Sequence, residues 1–168
     1  MASSDVLSWN GLDISFQRFG RRAWSSNAIL RSWAQAPWQW ISPGCLALAC
    51  FPSEALWLGV TATHGAARIH FRSGRGRWTR DLVVPPDWQL SWLQSGSRKR
   101  PIALRRGCQS AVFVLSARTG RRHETKTLAV TLFAPTAWRR RVGPLELAPA
   151  QRPEPVALYS RIMPAHDL

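Results

Sequence analysis

The run Arg121-Arg122-His123-Glu124 sets an imidazole beside a carboxylate, the pair of groups that general acid–base chemistry uses. Neighbouring residues on an extended chain point to opposite faces, so His123 and Glu124 reach one target poorly. The run reads instead as the tip of a hairpin. His64, His70 and His166 stand singly, and no HExxH or other i, i+4 pair gathers ligands for a metal. GxSxG, the Walker phosphate loop and GxGxxG are all missing from the sequence. "GRGRW" at 74–78 is glycine-rich, but no helix follows to turn its N-terminus on a phosphate. These absences predict no catalytic residue, no metal and no cofactor.

Basic clusters are the stronger signal. They are Arg75, Arg77 and Arg80; Arg98, Lys99 and Arg100; Arg105 and Arg106; Arg121 and Arg122; and Arg139, Arg140 and Arg141. The last four of these clusters are the candidate sites for an anion or a partner. Most fall at expected turns or strand ends, where guanidinium forks can meet phosphate, anionic lipid or carboxylate. Against 9 acidic residues the chain has 23 basic ones, all arginine except Lys99 and Lys126, for a net charge of +14. Such a field draws polyanions, nucleic acid included, whether or not a site has been built for them. A charge run is as readily a solvated face as a binding surface. The clusters form one site only if the fold brings them onto one face.

Three cysteines, Cys45, Cys50 and Cys108, form neither an even disulfide framework nor a CxxC pair, which fits a reducing compartment. The first residues lack the basic-then-apolar order of a secretory signal. The expectation is an intracellular protein, in nucleus or cytoplasm. "RKR" and "WRRR" also match short nuclear-import patches. Residues 41 to 67 carry one formal charge, Glu54, yet Pro43, Pro52, Gly44 and Gly59 interrupt them, and a membrane helix needs about 20 continuous apolar residues. No membrane span is expected.

The elements that must position these residues are mainly strands. A chain of 168 residues with 45% apolar content and ten tryptophans can bury one ordinary core. Residues 1–40 form a Trp-rich segment in which "SSNAILRSWAQA" carries a helix start signal, apolar spacing at Ile29, Leu30, Trp33 and Ala34, and a stop at Pro37. From about residue 45 the period becomes two. "CLALACF", "ALWLGVTAT", "ARIHFR", "RDLVV", "WQLSWL", "PIALR", "AVFVL", "TLAVTLF" and "PLELA" read as short strands, with "SGRG" as a glycine turn. In "ARIHFR", Ala67, Ile69 and Phe71 share one face; in "TLAVTLF", Leu128, Val130 and Leu132 do. The reading is mainly β: a single jelly-roll or β-sandwich-like domain over 41–150, a short N-terminal helical segment, and a Pro-rich C-terminal arm over 151–168.

From residue 82 the succession "DLVVPPDWQL", "PIALRRG", "FVLSARTGRRHETKTLAVTLF", "RVGPLELA" resembles the strands and turns of the trimeric dUTPases, over about 65 residues. "GRRHE" before an alternating strand is closer to the dUTPase-related early-region proteins of adenoviruses. The resemblance implies a jelly roll. Where that family sets its catalytic aspartate, this chain has Val114-Leu115-Ser116, and a serine there cannot act as the carboxylate that activates water. The family's phosphate turn corresponds at best to Leu104-Arg105-Arg106-Gly107. The resemblance therefore implies a scaffold without the enzyme, of the kind large DNA viruses use as accessory proteins that bind host or viral proteins.

The expectation is a non-enzymatic β-rich module whose exposed tryptophans and proline-rich arm dock another protein, tryptophan being enriched with arginine at binding hot spots. The alternative is a nucleic-acid-binding protein in which arginines hold phosphate and tryptophans stack on bases.

Overall fold

A computed structural model describes residues 6–25, 32–120 and 124–145, and these form a mainly β domain of two sheets and one short helix. Thirteen strands build it: β1 (Leu7–Trp9), β2 (Leu12–Gly20), β3 (Ala34–Gln35), β4 (Trp38–Ser42), β5 (Cys45–Ala49), β6 (Glu54–Ala62), β7 (Ala67–Ser73), β8 (Thr79–Val84), β9 (Gln89–Leu90), β10 (Trp92–Ser95), β11 (Arg98–Pro101), β12 (Ser110–Thr119) and β13 (Lys126–Phe133). Helix α1 spans Pro135–Arg141. The smaller sheet runs β1-β2-β6-β9, with β3 beside β2. The larger runs β11-β10-β8-β7-β12-β13-β5-β4. Its β13/β5 pair is parallel and its other pairs are antiparallel.

Alternation explains which side of each strand meets the core. Leu12, Ile14 and Phe16 of β2, with Leu56, Leu58 and Val60 of β6, face Ile69 and Phe71 of β7, Phe113 and Leu115 of β12, and Leu128, Val130 and Leu132 of β13 in one buried cluster. Phe71 and Phe113 stack with ring centroids 5.5 Å apart. The faces read from "ARIHFR" and "TLAVTLF" are those observed. Strand β5 is buried on both sides: Leu46 and Leu48 enter the core, while Ala47 and Ala49 lie against Trp138 of α1. Two small residues there leave room for an indole. Pro135 at the start of α1 sets the helical φ without losing a bonded N–H.

The same alternation carries Arg18 and Glu54 inward at the ends of β2 and β6. Arg18 is 4% exposed and Glu54 6%. Arg18 donates from Nε to Glu54 Oε2 at 2.9 Å and from Nη2 to Oε1 at 2.7 Å, a two-pronged pair whose guanidinium also lies 5.1 Å from the centre of the Phe51 ring. Glu54, the single charge in an apolar tract, holds two core strands together.

Several expectations are corrected. No domain boundary falls at residue 40: β1 and β2 pair with each other, and β2 runs in register with β6 from Leu12↔Ala62 to Gly20↔Glu54, so the N-terminal segment supplies core strands. The helix expected over residues 25–36 lies partly outside the described residues. At its far end Ala34 and Gln35 are extended, because pairing with Arg18 and Gln17 outweighs the local helical spacing. The helical turn that is described in this segment is a 3-10 turn at Arg21–Ala23. "PIALR" is not a strand; pairing comes earlier, at Arg98–Pro101, and Ile102 makes an isolated bridge to Leu56. Residues 144 and 145, the described part of the expected last strand, are irregular. Residues 146–168, including the proline-rich arm, lie outside the described set, as do Arg121, Arg122 and His123.

Eight of the ten tryptophans are buried or half-buried. The exposed ones are Trp40 and Trp88. Trp33 lies over Gly20, where an added Cβ would stand 2.5 Å from its ring, so that glycine is needed for close approach. The Trp-rich N-terminal segment is therefore mostly packing, with Trp40 its exception.

Candidate binding site

Strands β8, β10 and β11, at one end of the larger sheet, gather cations and aromatic rings in alternation. The guanidinium of Arg80 on β8 lies 3.6 Å from the centre of the Trp92 ring on β10, and the Lys99 ammonium on β11 lies 4.4 Å from the same ring. Arg100 sits 4.3 Å from the centre of the Trp78 ring. Each contact places a cation on the electron-rich face of an indole, which fixes long side chains that would otherwise be free. Antiparallel register does the positioning: Lys99 is opposite Gln94 and shares a face with Trp92, Arg100 is opposite Leu93 on the other face, so the two cations flank the β11 edge from its two sides, and Gln94 is opposite Thr79 of β8.

Burial, first, and then the charges of Arg105 and Arg77 hold the Arg100 pKa below its ordinary value. Burial lowers that of Arg80, partly offset by Asp87 and Asp81. Both remain cationic at neutral pH, since arginine titrates far above it. Arg77 and Arg105 therefore lie near enough to Arg100 to act on it, while Asp81 and Asp87 act on Arg80.

Three sequence clusters meet here: Arg77 and Arg80, Lys99 and Arg100 with Arg98, and Arg105. Arg98, Lys99 and Arg100 form an edge strand rather than a turn. Arg105 and Arg106 follow it and are exposed, Arg106 opening the turn to Gly107. Arg139, Arg140 and Arg141 do not join them. They form the last turn of α1, where cations suit the negative end of the helix dipole. The five strand steps from β11 to β13 put them roughly 24 Å away at about 4.8 Å per step. Arg121 and Arg122 lie outside the described residues. Sequence reading did not single out Trp78 and Trp92, although an indole beside or between basic residues, as in Arg77-Trp78-Thr79-Arg80, was the available cue.

A second row invites comparison with a hydrolase. Asp81, His70, Ser116 and Thr127 are cross-strand partners in succession over β8, β7, β12 and β13. His70 Nδ1 lies 2.6 Å from Asp81 Oδ1, and the Ser116 hydroxyl is 3.4 Å from that of Thr127. The order matches a Ser-His-Asp relay, but the row lies on an open sheet face, with the His70 and Asp81 side chains 43% and 80% exposed. Backbone N–H groups of these strands are engaged in the ladder rather than aimed at the row. Ser116, where the resemblance would set a catalytic carboxylate, is a hydroxyl bonded to a neighbour. Glu124 is exposed at the foot of β13.

Among the described residues no three potential metal ligands converge, and no helix is long and apolar enough to cross a membrane. Fold and site together define a two-sheet β domain with a cation–indole edge. No family model, no curated protein and no solved structure matches the chain.

Proposed function

We propose that this protein is a non-enzymatic β-rich interaction module that docks an acidic segment of another protein on the β8/β10/β11 edge. The carrying observation is the layering of Arg80 and Lys99 on Trp92 and of Arg100 on Trp78. A guanidinium held against an indole keeps the outward edge of its fork in place for a carboxylate, so less conformational freedom is lost when the partner arrives. The same layering weighs against base stacking as the main mode. Trp92 is 9% exposed and its ring carries two cations, whereas the exposed rings lie elsewhere: Trp40 is on β4, at the opposite end of the larger sheet, and Trp88 is beside Trp57.

The resemblance to dUTPase-related proteins belongs to this proposal, as a jelly-roll scaffold turned from catalysis to binding in a viral accessory protein of nucleus or cytoplasm. Its support is the two-sheet architecture and Ser116 in place of a carboxylate base.

A competition between two probes tests the reading. The full chain is titrated with a fluorescent peptide rich in Asp and Glu and, separately, with a single-stranded oligonucleotide of equal charge, across a salt series. The proposal expects saturable peptide binding that Lys99→Ala and Arg100→Ala weaken and Arg140→Ala leaves alone. Tighter binding of the oligonucleotide, with a slope of about −0.7 per phosphate contact and no response to those β11 substitutions, would refute it in favour of nucleic-acid binding.

A further inference from the structure

An open sheet ends in strands whose outward N–H and C=O groups can template another strand, and proteins blunt such edges with charge, proline or shortness. Four of the described edge elements follow this rule. β11 bears Arg98, Lys99, Arg100 and Pro101, and β1, β3 and β9 have three, two and two residues. The strand at the other end of the larger sheet does not. β4 has five residues and no charge, within a stretch from residue 32 to 53 that holds no formal charge at all. Trp40 is 40% exposed and Ile41 50%, and a shallow groove lined by Trp40, Ile41 and Pro43 runs beside them.

Register shows which main-chain groups point outward. Ala49 N–H donates to Pro37 C=O at 3.0 Å, so these residues occupy a hydrogen-bonded position of the β4/β5 ladder. Pairing continues as Trp38↔Leu48, Gln39↔Ala47 and Trp40↔Leu46. Because such positions alternate in an antiparallel pair, Gln39 bonds inward to β5, whereas Trp38 and Trp40 turn both N–H and C=O away from it.

We propose that β4 pairs with β4 of a second copy of this chain, antiparallel about a two-fold axis at Gln39. Trp38 of each copy then exchanges both main-chain bonds with Trp40 of the other, and the two Gln39 residues meet at the axis. The arrangement is self-complementary because positions 38 and 40 are alike in both backbone orientation and side chain, as a two-fold contact requires. Trp40 of one copy covers Trp38 of the other, which removes the exposed indole from water. The register shift between Trp40 and Ser42 lies outside the paired segment. The register selects a second copy as the occupant; the net charge of +14 opposes its approach, and that repulsion is least at the uncharged β4 edge, whereas pairing through β11 would set Arg98, Lys99 and Arg100 against their own copies.

Sedimentation equilibrium of the full chain across the micromolar range tests this, with two variants in a Cys108→Ser background that removes the exposed thiol. Gln39→Lys sets two ammonium groups directly opposite each other and should raise the dimer dissociation constant by at least about tenfold. Gln39→Cys should cross-link on mild oxidation, since facing residues in a non-bonded pair have Cα atoms about 4.5 Å apart, within disulfide reach. Gln39 is exposed, and circular dichroism of each variant confirms that the fold is kept. A monomer throughout the range, an open-ended assembly, or a dimer that ignores Gln39→Lys with no cross-link from Gln39→Cys would each overturn the proposal. The readout needs no anionic ligand, so it stands or falls separately from the binding role of β11.

Discussion

Removing the Glu54 carboxylate is the sharpest test of how the core is held. Glu54→Ala leaves the Arg18 guanidinium in the interior, its side chain 5% exposed, with the Phe51 ring against it and both short hydrogen bonds gone. Truncating one partner of a buried, hydrogen-bonded ion pair costs about 3 to 5 kcal/mol, chiefly the penalty of a charge kept from water without its counterion. For a chain of this size each kcal/mol corresponds to about 2 to 4 °C, which places the fall in melting temperature at roughly 6 to 20 °C. Urea denaturation followed by circular dichroism would give the free energy directly, and an unchanged slope would show that the unfolded state is the same. The double variant Arg18→Met with Glu54→Leu should recover most of the loss, because neither charge then needs a partner. A melting temperature lowered by less than about 2 °C in Glu54→Ala, or a double variant no more stable than the single one, would refute this account.

Trp138→Ala removes the indole that α1 lays on Ala47 and Ala49; it is 3% exposed, and the expected loss is about 3 to 5 kcal/mol in the same denaturation assay. Burial pushes the Cys50 thiol from 9.0 to about 11, so at pH 8 Cys108 should react with a thiol reagent within minutes and Cys50 only after unfolding, as mass spectrometry of the labelled chain would show. The same group adds a pH dependence. Its folded pKa lies above the unfolded one, so its contribution is fully present below about pH 9 and is lost as pH rises from 9 towards 11, visible as a declining urea midpoint. Lys99→Ala with Arg100→Ala should weaken the acidic peptide by about tenfold or more, each cation lost removing a charge-assisted bond, with indole fluorescence as the readout.

The charged knot at 121–124 illustrates how far the sequence reached. Alternation in "TLAVTLF" placed Leu128, Val130 and Leu132 in the core correctly, because a strand covered on one face carries its own period. "LDISFQRF" holds the same period at Leu12, Ile14 and Phe16, and β2 is central to the smaller sheet. The arginine at the next inward position, Arg18, is met by Glu54, two residues along β6 from its cross-strand partner Leu56. Helical spacing at Ala34 failed for the converse reason: two residues paired along β2 gain ladder bonds that a local pattern does not register.

Composition and period determined that the chain is mainly β, that it carries a net charge of +14, and which residues of β7 and β13 face inward. These are local properties, set by side-chain chemistry and by the two-residue repeat of extended backbone. The joining of Arg80, Lys99 and Arg100 to Trp92 and Trp78, and the separation of Arg139, Arg140 and Arg141 from them, were decided by strand order alone. So was the contrast between a charged edge at β11 and an uncharged one at β4. Order and register arise from which strands find each other across the sheet, and no short window of sequence contains both partners of those contacts.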